Sequence, residues 1–586
     1  MKISKLFTIA MLVAAMSAAG IANACTNFLF TKGATKDGST MITYAADSHV
    51  LYGELYYRRA AAYPAGTMFQ VVDWDTGKPL IQIPQVAQTY SVVGNINEFQ
   101  LAIGETTYGG REELANEIEG GIDYGSLIYL TLQRARNARE AIKVLAGFLS
   151  DYPYHSEGES FSICDPDEVW IFELIGKRPE PVKADLAKKL KYKYTDGAVW
   201  VARRIPDGYV CGHANQARIT QFPQEPKKFN KAKGKGLHAA ISSAHIDYVF
   251  EPEVECVYSS DIVTFARACG WYNGTDAEFS FTDTYAPLTF SGIRACDARV
   301  YAMFRRVNAS MSRYEKYAMG DATAERMPLW IKPDHKVDVQ EVMNLMRDHY
   351  EGTAMDMTND VGAGPFNCPY RWRPMNWEVD GKKYIHERAT STQQTGFSFV
   401  AQCRGWLPRK VGGIIWFGVD DTYSTVYCPM YCGITEIPLC FRQGNGDMLT
   451  YSPTSAFWLF NRVTNFVYSR YKDMIVDLQK VQRNLESGYI ADVEKFDSRV
   501  KNATDEEVTT LLNDFSNRQA DKMMAEWTKL DQYLLVKYID GNVKKEENGK
   551  FKRTEYGGCA SPNMPQYPKW FYRQIVNDHG KVIEEK

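Results

Sequence analysis

Short strand-like segments separated by turn residues fill the first part of the chain and limit the folds it can adopt. Residues 26–31 and 39–44 flank Lys36-Asp37-Gly38, a turn signal, and predict a hairpin. Further strand-like runs, separated by Asn, Asp, Gly and Pro, cover residues 90–95, 100–106, 160–164 and 169–175. Because a hairpin pairs neighbouring strands antiparallel, this pattern favours antiparallel sheets.

Segments with helical periodicity alternate with these strand-like runs. Residues 124–149 carry Leu, Ile and Ala at helical spacing, with residues 138–142 at the centre of the predicted helix. Strand-like stretches return at 396–402 and 412–419, and residues 455 to about 538 again have helical spacing. The interleaving predicts an α+β layered core. The change near residue 450 predicts two regions, a catalytic one over 25–450 and a mainly helical one over 451–586.

The first 24 residues predict a signal peptide. Lys2 and Lys5 supply a basic segment, residues 6–21 supply an apolar stretch, and Ala22-Asn23-Ala24 is a small-x-small cleavage signal. Cleavage there would make Cys25 the first residue of the mature chain. The sequence therefore predicts an exported protein, periplasmic or extracellular.

An N-terminal Cys25 brings two reactive groups together. Its thiolate can attack a carbonyl carbon, and its α-amine, with a reference pKa of about 8, can act as the general base. This combination indicates an N-terminal nucleophile hydrolase. Two alternatives stay open: a structural cysteine, and a lipid-anchored one, although a lipobox normally has Leu where this chain has Ala22. A lipid anchor would favour a surface protein that binds peptides or glycans through the aromatic-rich residues 366–440.

Composition and charge argue against several other classes of protein. The formal net charge is −3 and the 68 Lys and Arg residues are spread along the chain, so nucleic acid is not expected as a partner. No apolar run of about 18 residues follows the leader, so no membrane span is expected. Cys428 and Cys432 resemble half of a metal site without its second half, and we predict neither metal nor cofactor. Setting Cys25 aside leaves an odd number of the 12 cysteines, so at least one other is predicted to be unpaired in any scheme of disulfides within the chain.

Several short motifs are individually weak but form a stronger signal in their joint order. They are Cys25-Thr26-Asn27, Asp37-Gly38-Ser39, Tyr44-Ala45-Ala46-Asp47-Ser48, Asn97-Glu98, residues 102–106, residues 212–219, residues 346–353, Ser398-Phe399-Val400 and Trp416-Phe417-Gly418. Together they resemble the PepD-type cysteine dipeptidases, which are related to penicillin V acylases and bile salt hydrolases among the N-terminal nucleophile hydrolases. The resemblance extends to about residue 470.

This resemblance implies a four-layer αββα core with antiparallel sheets, and it suggests three residues that act with Cys25. Asp47 matches the aspartate that holds the amine of the nucleophile. Asn215 matches an amide that helps bind the reacting centre and can donate to an oxyanion. Arg299 resembles an arginine that acts electrostatically near the nucleophile, where a guanidinium would favour the thiolate.

Two positions depart from the pattern of the acylase relatives and bear on the substrate. Tyr44 stands where an arginine is common, and Glu105 stands where the amidases have an oxyanion-binding Asn. An acidic side chain would complement the free α-ammonium of a dipeptide, so we predict hydrolysis of dipeptides or short peptides. An amidase or acylase acting on N-acyl compounds stays the alternative, and a homo-oligomer stays open.

Overall fold

The computed structural model of the chain describes residues 25–115, 120–226, 239–501 and 503–585. The predicted signal peptide, residues 1–24, lies outside the described residues. The described strands, numbered in chain order, are β1 (Asn27–Phe30), β2 (Thr40–Asp47), β3 (Tyr57–Arg58), β4 (Met68–Val72), β5 (Pro79–Pro84), β6 (Val92–Val93), β7 (Ile96–Asn97), β8 (Ala102–Tyr108), β9 (Gly158–Cys164), β10 (Val169–Gly176), β11 (Ala198–Arg204), β12 (Val210–His213), β13 (Ala240–Ser242), β14 (Cys256–Tyr258), β15 (Trp330–Ile331), β16 (Asn376–Val379), β17 (Lys382–Ile385), β18 (Thr395–Cys403), β19 (Gly413–Val419), β20 (Cys428–Tyr431), β21 (Glu546–Glu547) and β22 (Lys550–Phe551).

Helices flank these strands and dominate the last part of the chain. The described α-helices are α1 (Tyr124–Leu132), α2 (Ala138–Asp151), α3 (Ala184–Leu190), α4 (Ile262–Cys269), α5 (Phe281–Tyr285), α6 (Ala298–Val307), α7 (Glu315–Ala318), α8 (Val339–Leu345), α9 (Arg409–Gly412), α10 (Ala456–Ser469), α11 (Tyr471–Val500), α12 (Asp505–Tyr538) and α13 (Lys569–Ile583). The fold is therefore mixed α+β with antiparallel sheets, as predicted, and the helical C-terminal region is present.

Two large sheets form the centre of the molecule. The first sheet has the strand order β15-β12-β1-β2-β18-β19-β20 and is antiparallel throughout. The second sheet has the order β13-β14-β11-β10-β9-β8-β7-β6-β3 and is antiparallel except between β13 and β14. Strands β1 and β2 of the first sheet pack against β8 and β9 of the second. Their central strands are buried on both faces, which explains the near-continuous apolar runs in their sequences.

Helices cover the sheets away from their mutual contact. Helices α1 and α2 pack on the second sheet, and their apolar residues join Trp170, Phe172 and Trp200 in a separate core cluster. Helices α11 and α12 pack against β20 of the first sheet. Since the main hydrophobic cluster includes residues from Cys25 to Tyr538, the C-terminal helices bury their apolar faces against the sheet region.

The predicted first hairpin is confirmed, whereas the prediction of one helix over residues 124–149 is wrong. Strands β1 and β2 pair antiparallel, with Leu29 opposite Ile42. The helical segment is divided into α1 and α2, because the side chain of Asn137 accepts a hydrogen bond of 2.9 Å from the backbone N–H of Glu140 and caps a new helix. Residues 138–142 therefore begin a helix instead of lying at the centre of one.

Candidate active site

The first hairpin holds Cys25 and Asp47 at the same end. Cys25 directly precedes β1, and the backbone of the next residue, Thr26, exchanges hydrogen bonds of 3.0 and 3.3 Å with Ala45 on β2. Asp47 ends β2 two residues later. The register of one hairpin thus brings together two of the residues that the sequence singled out.

The thiol of Cys25 faces the second sheet. Its Sγ lies 3.6 Å from Oε1 of Glu105, in the middle of β8, and 3.9 Å from the hydroxyl oxygen of Tyr44 on β2. The Tyr44 hydroxyl donates a short hydrogen bond to the same Glu105 oxygen. The two positions that depart from the acylase pattern therefore contact each other and the thiol.

The surroundings of Cys25 disfavour the ionised form of its thiol. Burial raises the pKa of the Cys25 thiol well above its ordinary value, and the nearby carboxylates of Glu105 and Asp47 raise it further. Hydrogen bonds with the Asp47 backbone and the Tyr44 hydroxyl act in the opposite direction. A cation placed beside Glu105 would remove part of this electrostatic opposition to the thiolate.

A second buried carboxyl group, Glu159 on β9, adjoins Glu105. Burial and the charge of Glu105 raise the pKa of Glu159 well above its ordinary value. Within the described chain, Oε2 of Glu105 and Oε1 of Glu159 are buried and have no hydrogen-bond partner. Burial raises the pKa of Glu105 as well, and its contacts with Glu159, Tyr44 and Cys25 oppose the rise.

Asp47 is buried and tightly held. Its Oδ2 accepts a hydrogen bond of 2.5 Å from Nη2 of Arg388, and its Oδ1 accepts one of 2.6 Å from the hydroxyl of Thr395. Burial raises the pKa of Asp47, and the Arg388 guanidinium opposes the rise. The carboxylate therefore lies beside the start of the hairpin in a fixed orientation, as an orienting group requires.

Arg299, near the start of α6, binds the backbone of the nucleophile. Its Nη1 donates to the carbonyl oxygen of Cys25 at 2.5 Å and to the hydroxyl of Thr26 at 2.8 Å. A π-helical turn, Gly292–Asp297, directly precedes α6, and such turns are frequent at functional sites. The guanidinium thus fixes the position of Cys25, while its predicted effect on the thiolate stays a prediction.

Asn215 follows β12 and joins the same network. Its backbone has a positive φ of 57°, a conformation that Asn tolerates better than most residues. Its Oδ1 accepts a hydrogen bond of 2.8 Å from Arg299, and its Nδ2 donates one of 2.6 Å to the carbonyl oxygen of Thr107. An amide nitrogen carries two hydrogens, and this bond uses one of them. The structure therefore brings all six predicted site residues into one cluster.

A small cavity adjoins this cluster. It has a volume of about 210 Å³ and is lined by Asn215, Arg299, Arg388 and Cys296, together with residues of the 286–292 segment. Arg388 has no local sequence signal: it lies 341 residues from Asp47, in a Glu-Arg-Ala-Thr stretch before β18. Sequence reasoning missed it, together with Thr395 and Glu159, because only tertiary packing places them at the site.

His213, the last residue of β12, is not a candidate base. It is fully buried, with Nδ1 2.7 Å from the hydroxyl of Thr106 and Nε2 2.7 Å from the hydroxyl of Ser162. Burial lowers the pKa of His213 to about 3, so the imidazole is neutral at physiological pH. It bridges the two sheets as a structural hydrogen-bonding group.

We expect His213→Ala to lower the free energy of unfolding by about 2–4 kcal/mol, because two buried hydroxyls lose their partner and a cavity remains. The kcat of the folded variant should change little, whereas loss of a general base costs about 10²–10⁴-fold. In the wild type, the imidazole of the unfolded chain binds a proton at a higher pH than the buried imidazole of the folded chain. The contribution of His213 to the free energy of unfolding is therefore complete above a pH of about 6.5, and it falls as the pH drops toward 3. Urea unfolding from pH 4 to 8, with kcat of the folded variant, checks both effects.

Across the described ranges, all twelve cysteines are free thiols, among them Cys428 and Cys432. No three His, Cys, Asp or Glu side chains of the described part of the chain are grouped as a metal site. None of the helices that the structure describes combines the length and apolar character needed to cross a bilayer.

Comparison with known proteins gives one family and several related enzymes. The profile of peptidase family C69 matches residues 24–484. A probable dipeptidase of Latilactobacillus sakei is 21% identical over 551 residues, which cover 89% of this chain and 98% of that protein. A probable dipeptidase B of Streptococcus pyogenes serotype M1 is 19% identical over 565 residues, covering 92% and 96%. A probable dipeptidase of Salmonella dublin is 22% identical over 428 residues, covering 70% and 81%.

Proposed function

This chain belongs to peptidase family C69, and we propose that it hydrolyses dipeptides with Cys25 as an N-terminal nucleophile. Membership of a peptidase family makes it a peptide-bond hydrolase, and the related proteins named as probable dipeptidases support the narrower substrate. We propose that residues 1–24 are removed on export, which frees the α-amine of Cys25. The facing sheets with helices on their outer sides support a four-layer αββα core of the N-terminal nucleophile type.

The observation that carries this proposal is the buried carboxylate of Glu105 at 3.6 Å from the Cys25 thiol. In a dipeptide, the free α-ammonium lies two bonds from the scissile carbonyl carbon. A substrate whose carbonyl approaches Sγ therefore brings its ammonium close to Glu105. The charge-assisted hydrogen bond that follows both orients the substrate and offsets the carboxylate that raises the pKa of the thiol.

The remaining residues have roles that match their contacts. The α-amine of Cys25 takes the proton of the thiol, and the thiolate adds to the carbonyl carbon. Asp47, held by Arg388 and Thr395, orients that amine, and the second amide N–H of Asn215 donates to the oxyanion. The protonated amine then donates to the leaving amino group, and water hydrolyses the thioester.

A dipeptidase and an acylase differ in whether the preferred substrate carries a free α-amine. We expect N-acetylation of a dipeptide to lower kcat/KM by about 30- to 1,000-fold, because a charge-assisted hydrogen bond is lost and Glu105 is left desolvated. Glu105→Gln should shrink this preference, since the amide has no charge to pair with the ammonium. Release of amino acids from free and N-acetylated dipeptides measures the ratio for both proteins.

A matched control is Glu98→Gln, since Glu98 contacts Ser91 and Arg409 and lies outside the cluster. This variant should keep the wild-type preference. Equal kcat/KM for free and N-acetylated dipeptides would reject the role of the ammonium and favour the acylase. A large preference for free dipeptides that Glu105→Gln does not change would support the dipeptidase and would assign binding of the ammonium to another group.

A further inference from the structure

The side chain of Asn27, two residues after Cys25, lies between the two sheets beside Glu105. Asn27 is the first residue of β1 and is fully buried. Its amide oxygen accepts hydrogen bonds of 2.9 Å from the backbone N–H of Glu105 and 3.2 Å from the hydroxyl of Ser162, and its nitrogen donates bonds of 2.9 Å to the carbonyl oxygens of Glu105 and Thr26. Both donors and both lone pairs of the amide are therefore used, and two of these four bonds hold the backbone of one residue.

Side-chain amides take the place of a strand along this edge of β8. Strand β7 is two residues long and pairs with the first residue of β8. Beyond it, the backbone N–H of Ile103 donates to the carbonyl oxygen of Asn95 at 3.0 Å, and the Asn95 side chain donates to the carbonyl oxygen of Ile103 at 2.8 Å. The carbonyl oxygen of Thr107 accepts a bond of 2.6 Å from the side chain of Asn215. Glu105 lies midway between Ile103 and Thr107, and alternate residues of a strand direct their backbone groups to the same edge, so the amide that binds Glu105 completes this row.

Gly104, the residue before Glu105, leaves the space that the Asn27 side chain occupies. A β-carbon at position 104 would lie 2.7 Å from the end of that side chain, closer than non-bonded atoms approach each other. Any other residue at this position would push the amide away from the backbone of Glu105. The close approach of the two sheets at this point therefore depends on a glycine on one side and an asparagine on the other.

We infer that Asn27 is a positioning residue that fixes the backbone of Glu105 against the strand of the nucleophile, and so sets where the carboxylate meets the ammonium of the substrate. The inference rests on the proposed function, in which Glu105 binds that ammonium. The carboxylate lies 3.6 Å from Sγ of Cys25, and it extends from a backbone that Asn27 holds. Because Asn27 follows Cys25 by two residues, the same bonds fix the nucleophile and the carboxylate relative to each other.

The test compares a free dipeptide with its N-acetylated form. In Asn27→Ala, the backbone of Glu105 loses both of its amide bonds, and the carboxylate is no longer held at one position. We expect the preference in kcat/KM for the free dipeptide to fall by about 5- to 100-fold, since a misplacement of about 1 Å can cost about 100-fold in rate. Slower turnover of both substrates by one common factor would indicate a structural role alone and would overturn the inference.

Asn97→Ala is the matched control, because Asn97 is also fully buried and its side chain makes four hydrogen bonds, all with backbone groups outside the site. It should lower the free energy of unfolding as Asn27→Ala does, and it should keep the wild-type ratio. Gly104→Ala is the second variant, since it displaces the Asn27 amide without removing it, and it should also lower the ratio. If Asn27→Ala does not fold, Gly104→Ala decides the test. An unchanged ratio in the deciding variant, or an equal fall in Asn97→Ala, would overturn the inference.

Alkylation of Cys25 by iodoacetamide tests the same contact without turnover. The side chains that act on the pKa of the thiol are Glu105, Asp47 and Tyr44, and the α-amine is common to all variants. Because the carboxylate of Glu105 raises the pKa of the thiol, Glu105→Gln should shift the pH profile of alkylation to lower pH. Asn27→Ala should reproduce part of this shift, and it should add nothing when Glu105→Gln is already present.

These two measurements separate the inference from the proposed function. Equal kcat/KM for free and N-acetylated dipeptides in the wild type would reject the proposed role of Glu105 toward the substrate, and the shifted alkylation profile would still support the hold of Asn27 on Glu105. A wild-type alkylation profile in Asn27→Ala, or equal shifts with and without Glu105→Gln, would overturn that hold while leaving dipeptide hydrolysis intact.

Discussion

Replacing Cys25 with alanine is expected to abolish peptide hydrolysis, with a loss of about 10⁴-fold or more in kcat/KM. The reason is that the site is arranged around this thiol. Glu105 and Tyr44 contact the sulfur atom, and Arg299 binds the backbone carbonyl oxygen of Cys25. Cys25→Ser should retain a small fraction of activity, because a hydroxyl is a poorer nucleophile at the same position. Steady-state kinetics on a dipeptide panel measures both variants.

The fold should survive these changes. The thiol is small, and its removal also removes a group whose ionisation the site opposes, so we expect the free energy of unfolding to change by about 1 kcal/mol or less. Cys256→Ala is the matched control, since Cys256 is buried on β14 outside the cluster and the pKa of its thiol is likewise raised by burial. It should remain close to wild-type activity. Wild-type turnover by Cys25→Ala would remove Cys25 from the mechanism.

Some residues of the site can be predicted from the sequence because neighbouring residues determine the local structure around them. Cys25 and Asp47 lie on one hairpin, whose Lys36-Asp37-Gly38 turn and flanking strands are readable from neighbouring residues. The long C-terminal helices were predictable in the same way, because apolar spacing over tens of residues is a strong signal. Asn215 and Arg299 required a resemblance to related enzymes, since neither residue type in its local context indicates a site.

The remaining contacts come from packing between distant segments. The Tyr44–Glu105 pair joins β2 of one sheet to β8 of the other, and Arg388 reaches Asp47 across 341 residues. No periodicity encodes such contacts, since they depend on which sheet faces are apposed. The same limit applies on a smaller scale to Asn137, whose capping hydrogen bond divides a helix that apolar spacing alone predicts as continuous.

Retaining one residue before Cys25 is expected to lower kcat/KM by about 10²–10⁴-fold, the usual contribution of a general base. In such a chain the nitrogen of Cys25 belongs to a peptide bond, and its lone pair is delocalised and cannot take the proton of the thiol. Among the described groups, His213 is neutral, buried and bonded to two hydroxyls, and Asp47 is engaged by Arg388 and Thr395. Glu105 lies 3.6 Å from the thiol, but its Oε1 already accepts a hydrogen bond from Tyr44. Kinetics on chains with verified N-termini, by intact mass, measures the effect.

The control removes the extra residue from the same preparation. A chain with a protease site directly before Cys25 should be inactive as made and should gain activity in proportion to the fraction cleaved, with no change in thermal unfolding. Alkylation of Cys25 by iodoacetamide separates a lost base from a blocked site: a blocked thiol would be protected, whereas a chain that lacks only the base stays open to the reagent. Full turnover by the extended chain would show that another group takes the proton, and the α-amine would then have no catalytic role.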